Sequence, residues 1–489
     1  MLAKENIRLT FGLKLKQIRQ EKGISLSELA QKTGISVSYL NEIEKGKKYP
    51  QTDKIYLLAE SLEVSYDWLV SLKLHKKLAP VSKLLASNFW TEFPLEIFGI
   101  EPAQFLEILA NAPDKVSAFI STLVEIARNY NLPLEEFYFA VLRSYQEMYD
   151  NYFEDIELAA EKLREEQEKS PDDFLDVDFL KKLLKEEFKI EVTETNFEGN
   201  LRELRSVLKK KNLLLLNKEL SISQKRFVLS REIGFAYLKI KKRPLTFSWV
   251  QVNSFEEVLN NFKASYFADA LLLPQNILGK DLDDFFAKTS METLFLMKLI
   301  DKYVVTPETL FNRFSNLLPK RFGLNEIFFL RFDNHDGQVN LTKEMHFSGL
   351  HNPHASALGE NYCNKWVSIS LLKELQNLLN NQNILSTCKA QISEYYDSNN
   401  KYFVLAMARS LAPTPALSSL AIGIKINEQA LKTIHFLRED QHIETKKVGV
   451  TCQRCPDFSC KERQATAHIL QKELSKQNKL KALLELFES

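Results

Sequence analysis

The sequence predicts a multidomain chain, mainly α at first and α+β towards the C-terminus. Three observations carry that prediction. The 489 residues suffice for roughly three domains at ~150 residues each. Stretches such as PLEEFYFAVLRSYQEMYDNYFEDIELAAEKLREE place apolar residues three and four apart, the period of helices packed by one face. From about residue 321, runs such as NEIFFLRFD and KYFVLAMARSLA read instead as strands, several with period-two alternation.

Composition narrows the function classes. With 45% apolar and 26% charged residues the chain is of ordinary globular type. Glycine is scarce, at 14 residues, and neither GxGxxG nor GxxxxGK occurs, which argues against the common nucleotide-binding folds. The N-terminus lacks the apolar core of a signal peptide, and no apolar run approaches the ~18 residues of a membrane span. Five cysteines suit a reducing compartment, so a cytoplasmic protein without disulfides is expected. The formal net charge of +1 makes no whole-chain case for nucleic acid, but residues 1–56 hold eleven Lys/Arg against six Asp/Glu, a local net of +5.

The basic segment opens the domain expected over residues 1–75. TFGLKLKQIRQEKG predicts an amphipathic helix with Phe11, Leu15 and Ile18 inward, ended at Gly23. SLSELAQKTGISVSYLNEIEKGKKYP then predicts a short helix, a turn and a second helix. Ser25 and Glu28 have the spacing of a capping box, Gly34 fits the turn, and Ser36 caps the second helix. Leu26, Leu29, Ile35, Leu40 and Ile43 recur as the buried set. These residues resemble the Cro/phage-repressor (xenobiotic-response-element) class of helix-turn-helix domains, five helices in all, with TDKIYLLAESLEVSYDWL as the last two. In that class the second helix enters the major groove, which turns Ser36, Val37, Ser38, Asn41, Glu42 and Lys45 toward DNA here. Asn41 suits adenine and Val37 a thymine methyl, while Lys45, Lys47, Lys48 and Arg19 suit phosphates. Half-site pairing implies a homodimer or higher homo-oligomer.

Residues 76–165 read as a helical linker or dimerisation region. Over 166–320, the order of FLKKLLKEEFKIEVTE, the helix SQKRFVLSREIGFAYLKI and NNFKASYFADALLLP resembles the ImmA/IrrE-type metallopeptidase domain. That family binds zinc through HExxH and a later glutamate. Its histidine positions are Arg231 and Phe235 here, and its glutamate ligand is Asn261. Only the general-base position keeps its residue, Glu232. The expectation is a degenerate domain and no enzyme activity, with Phe235, Phe267, Leu271 and Leu273 as core.

Five strands and one helix, WVSISLLKELQNLLNN, over 321–489 predict an α+β sensor domain of PAS/GAF type. Its cysteines carry the strongest chemical signal. Cys452, Cys455 and Cys460 fall within nine residues in TCQRCPDFSCKER. A fourth ligand must come from elsewhere, with Cys363 first and His346, His351 and His354 keeping a mixed site open. Cys388 reads as a buried strand residue. Such a set suits a cubane iron–sulfur cluster or a zinc ion, and Arg454, Lys461 and Arg463 would ease thiolate formation.

The combination, in this order, of a Cro-like domain, an ImmA/IrrE-like domain without ligands and a terminal CxxC…C loop resembles the short-chain fatty-acyl transcriptional regulators, the ScfR-like family. The resemblance runs nearly the whole length and is carried by ISVSYLNEIEKGKKYP, ADALLLP, CNKW and CQRCPDFSCKER. After Cys460 the chain departs from the family, running ERQATAH where proline-rich sequence is usual. The resemblance implies a DNA-binding regulator responsive to an acyl-CoA, and a [4Fe–4S] centre held by Cys363, Cys452, Cys455 and Cys460.

Overall fold

Ser25 and Ser36 start the two short helices around which the N-terminal domain is built. The computed structural model describes residues 2–71, 134–210, 212–244, 254–335, 337–346, 359–382, 384–396, 398, 400–410 and 416–488. The expected helical region of 76–165 lies outside the described residues as far as 133, as do His351 and His354. The chain divides into two compact units, Met1–Val141 with Asn253–Phe255, and Leu142–Val252 with Glu256–Ser489.

In the first unit, α1 (Leu2–Glu21), α2 (Leu26–Thr33), α3 (Val37–Glu44), α4 (Thr52–Ser61) and α5 (Tyr66–Val70) surround one core of Phe11, Leu15, Leu29, Leu40, Ile43, Ile55 and Leu58. The Ser25 hydroxyl accepts from Glu28 N–H and the Glu28 carboxylate accepts from Ser25 N–H, completing the capping box. Ser36 caps α3 through Tyr39 N–H. Gly34 between them has φ 69°, the left-handed conformation that turns the chain from α2 into α3. Lys14 is fully buried on α1, and its ammonium donates to Trp68 O, Ser71 O and the Ser71 hydroxyl at 2.6–2.8 Å, tying the first helix to the end of the fifth.

After α6 (Leu134–Met148), the second unit continues with α7 (Glu154–Glu166) and α8 (Val177–Glu186), which pack on a small mixed sheet. That sheet has the order β1-β3-β2, formed by β1 (Glu191–Thr195), β2 (Ser206–Lys209) and β3 (Leu213–Asn217). Helices α9 (Ile222–Tyr237) and α10 (Phe255–Leu272) close the same core, which contains Leu180, Leu214, Leu229, Phe267 and Leu271.

Next come α11 (Gln275–Phe286), α12 (Phe295–Tyr303) and α13 (Pro307–Phe322), which cover one face of a six-stranded sheet. Its strands are β4 (Ile327–His335), β5 (Gln338–His346), β6 (Ser386–Tyr395), β7 (Lys401–Ser410), β8 (Leu417–Lys425) and β9 (Thr445–Val448), in the order β5-β4-β8-β7-β6-β9. Helix α14 (Val367–Gln382) covers the other face with Val367, Leu371 and Leu375. Strand alternation feeds both layers: Phe403, Leu405 and Met407 meet the helices α11–α13, while Tyr402, Val404 and Ala406 meet α14. The five strands and the helix expected from the sequence are all present. The sixth strand, β9, joins the edge parallel to β6. Among the described residues no helix is long and apolar enough to cross a membrane.

Candidate functional site

The candidate DNA-reading surface is the outer side of α3. Ser36, Val37, Ser38, Asn41, Lys45, Lys47 and Lys48 are exposed, and Glu42 is half-buried beside Lys48. Val37 is 43% exposed, an apolar side chain left open at the first turn of the helix, where major-groove readers contact base edges. Arg19 differs from its expected place at a phosphate. Its guanidinium pairs with both oxygens of Glu44 at 2.6 and 3.0 Å, donates to Ile24 O at 2.8 Å, and leaves only 11% of the side chain exposed. It braces α1 against α3, and the hydrogen bond to Glu44 holds its pKa above the usual value.

The positions that the ImmA/IrrE resemblance aligns with metal ligands do meet, and guanidinium groups close them. From α9, Arg231 donates to Asn261 Oδ1 on α10 through Nε at 3.0 Å and a terminal nitrogen at 2.6 Å. It also reaches Glu232 Oε1 at 3.3 Å, and the other Glu232 oxygen takes Arg243 at 2.5 Å. Arg231 and Glu232 are each 1% exposed. The Phe235 ring lies against both guanidiniums, 4.9 Å from Arg231 and 4.0 Å from Arg243. Burial is the main cause holding the Arg231 pKa down at about 10, with Glu232 opposing it. Arg243 lies in the loop after α9, where no local sequence signal marks it as the partner of Glu232.

The cysteine loop is knitted to the segment that carries Cys363. Tyr362 and Thr451 form an antiparallel bridge, Cys363 N–H donates to Val450 O at 3.1 Å, and Cys452 N–H donates to Asn361 O at 2.8 Å. Arg454 grips Glu360 through two nitrogens, Lys365 pairs with Asp457 at 2.9 Å, and Asn364 donates to Glu462 O. Arg463 folds the loop from within, donating to the carbonyls of Cys452, Cys455 and Asp457 at 2.5–3.0 Å. Gly449 matters by its missing Cβ, which would stand 3.0 Å from Cys455 Sγ.

These contacts bring the four cysteines into one electrostatic neighbourhood. Cys363 feels Cys455 and Cys452, and Cys455 feels Cys460. Cys363, Cys452 and Cys455 are buried, Cys460 is half-buried, and all are free thiols. Burial pushes the Cys363 thiol up to about 11 and raises Cys455 as well. The surrounding cations therefore do not lower those two thiols as expected: Arg454 is spent on Glu360, and burial outweighs the pull of Arg463 on Cys455. Among the described residues no group of three or more His, Cys, Asp or Glu side chains is placed to hold a single metal ion. Cys388 lies apart on β6, half-buried, its thiol donating to Thr293 O.

Comparison with known proteins agrees with two parts of this description. Residues 15–69 match the helix-turn-helix family, and residues 185–315 match the IrrE N-terminal-like domain family. No curated protein matches the chain. Among solved structures, a Mycobacterium tuberculosis transcriptional regulator is similar at 17% identity over 66% of this chain and 92% of its own, with a TM-score of 0.47. The apo form of the competence regulator ComR from Streptococcus vestibularis is similar at 14% identity over 65% and 88%, with a TM-score of 0.13. Scores this low specify nothing about function.

Proposed function

We propose that the chain is a sequence-specific, DNA-binding, one-component transcriptional regulator. It works in the cytoplasm as a homodimer, answers to a short-chain acyl-CoA and carries an iron–sulfur cluster. The carrying observation is the helix-turn-helix. It has a capped recognition helix with an exposed Val37 and Asn41, and lysines 45, 47 and 48 follow it. Asn41 would read a base edge and the lysines would fix register on the phosphates. The degenerate middle domain acts as a scaffold and not as a peptidase, since both oxygens of Glu232 are bound by guanidiniums.

The donor set at the cysteine loop suits the cluster reading in kind: four thiols from two segments held against each other by ion pairs. Cys363, Cys452, Cys455 and Cys460 would hold it, and a bound cluster supplies one-electron chemistry or a rigid cross-link. The acyl-CoA part rests on the family resemblance. A structural zinc is the second reading, favoured by the dense bracing that Arg463 and Arg454 already give the loop.

Selection of duplexes from a random pool tests the core of this proposal. An enriched motif whose binding is lost in Asn41→Ala supports it, and retention of DNA without any enrichment sinks the sequence-specific reading. Gel shifts with and without short-chain acyl-CoA test the response. Iron, sulfide and zinc content after anaerobic purification separates cluster from clasp.

A further inference from the structure

Small cysteine-rich metal sites often fold around their metal and stay open without it, because a preformed site rarely exists in the free chain. The cysteine loop is closed instead by its own side chains. At its centre is Arg463, whose guanidinium donates to four carbonyls. One terminal nitrogen reaches Cys452 O at 2.5 Å and Ala465 O at 3.2 Å, and the other reaches Cys455 O at 3.0 Å and Asp457 O at 2.7 Å. One side chain thus spans both ends of the turn from Cys452 to Cys455 and the approach to Cys460. Among the described residues its hydrogen bonds all end on carbonyl oxygens, and its Nε is buried without one.

The two residues between Cys452 and Cys455 complete the closure toward Cys363. Gln453, 4% exposed, accepts from Asn361 N–H at 3.0 Å and donates to Asn361 Oδ1 at 2.9 Å. Arg454 takes Glu360. None of these bonds needs a metal.

The thiols themselves face donors. Gln464 N–H, next to Arg463, donates to Cys452 Sγ at 3.4 Å. Backbone hydrogen bonds also reach Cys363 from Gly449 and Lys365, and Cys455 from Asp457. A protonated thiol is a weak acceptor, while an ionised one accepts strongly. Three of the four sulfurs therefore stand before donors that a metal-bound thiolate uses more fully than a free thiol does.

We propose that Arg463 is a positioning residue that keeps the loop folded in the metal-free chain, so that Cys452 and Cys455 take up metal from a preformed turn. The folding role stands by itself. The metal-binding role rests on the reading of the four cysteines as a metal centre, iron–sulfur or zinc.

The test uses the full-length protein, stripped of metal under reducing, anaerobic conditions. Hydrogen exchange is followed over the loop. Metal uptake is followed with cobalt(II), whose visible thiolate bands report coordination, with zinc against a chromophoric chelator, and with iron plus sulfide. The metal-free parent should protect the loop amides, and Arg463→Gln should speed their exchange about tenfold or more. Metal affinity should fall about tenfold in that variant, the usual effect of losing an outer partner of the ligands. The amount bound at saturation should not change, because all four thiols remain. Arg463→Lys should recover little, since an ammonium cannot reach carbonyls on both sides as the planar fork does. Lys461→Gln, which removes an exposed cation from the same loop, should alter neither quantity. Loop exchange as fast in the parent as in Arg463→Gln overturns the proposal, as does metal affinity unchanged by that substitution. Should Arg463→Gln fail to fold, exchange in the metal-free parent still decides, because an unprotected loop there overturns the proposal. A parent that takes up none of these metals removes the metal reading, and the exchange comparison then decides the folding role alone.

Discussion

Arg231 donates two hydrogen bonds to a single oxygen of Asn261, 3.0 Å from Nε and 2.6 Å from a terminal nitrogen. The resemblance to the ImmA/IrrE-type domain aligns these two positions with a histidine and a glutamate ligand, and here a cation of the chain's own bridges the two helices. Arg231→Met would leave the half-buried Asn261 oxygen without these donors and Glu232 with one guanidinium in place of two. A loss of ~2–4 kcal/mol in urea unfolding is expected. Arg231→Lys should recover little of it, because an ammonium cannot span Asn261 and Glu232 as the planar fork does. A loss under ~1 kcal/mol for the methionine variant would mean that the network is dispensable.

The N-terminal domain separates two kinds of basic residue. Lys47 is exposed beyond α3, and Lys47→Ala should weaken binding to all duplexes alike and lower the salt slope by ~1. Asn41→Ala should cost ~1–3 kcal/mol on the selected site and relax preference at one base. Arg19→Ala should behave differently, because its guanidinium is held by Glu44 and Ile24. The expected signature is a lower melting temperature with an unchanged salt slope, shared by Glu44→Ala. A salt slope that falls in Arg19→Ala would put that residue at a phosphate after all.

At the cysteine loop, metal content should depend on residues far apart in sequence. Cys363→Ser is expected to lower bound iron or zinc as far as Cys455→Ser does, while Cys388→Ser, on a separate strand position, leaves it intact. In the metal-free chain, burial holds Cys363 protonated up to about pH 11, so alkylation at pH 8 should reach it last. Rapid modification of Cys363, or metal content indifferent to its loss, would remove it from the ligand set.

Much of this architecture is written locally. The Ser25–Glu28 box, the Gly34 turn and the Ser36 cap lie within twelve residues and need no tertiary knowledge. The first five strands of the large sheet show because both of its faces are covered and their apolar residues are dense. Strand β9 is different: TKKV is a short edge strand with two lysines, kept polar where a sheet ends, and so has no apolar signature. The association of Cys363 with the loop rests on pairs about ninety residues apart, Arg454 with Glu360 and Lys365 with Asp457, and charged pairs of that range leave no periodic trace. Arg19 shows the complementary limit: a basic residue near α3 looks the same in sequence whether it faces phosphate or, as here in the DNA-free chain, a glutamate.

Asp269 gives the second unit a pH dependence of defined sign. On α10, its Oδ2 accepts from Asn312 at 3.3 Å, while Oδ1 is buried without a hydrogen bond. Burial, opposed by Arg313 and Lys343, raises the carboxyl from its usual value to about 8. In the unfolded chain the same group titrates near ~3.9. Between those values the folded chain holds a proton that the unfolded chain has released, so this group's contribution to stability is largest at low pH. It declines as pH rises through the folded value, with a slope approaching ~1.4 kcal/mol per unit. Above about pH 8 no further loss comes from this residue. Asp269→Asn keeps the shape, replaces the acid proton with an amide donor and removes the titration. Other groups titrate over the same range, so the quantity to read is the difference between variant and parent in urea unfolding at pH 5, 6.5 and 8. That difference should move steadily in favour of the variant as pH rises. A constant difference would show that Asp269 is already ionised in the fold, its charge carried by Arg313 and Lys343.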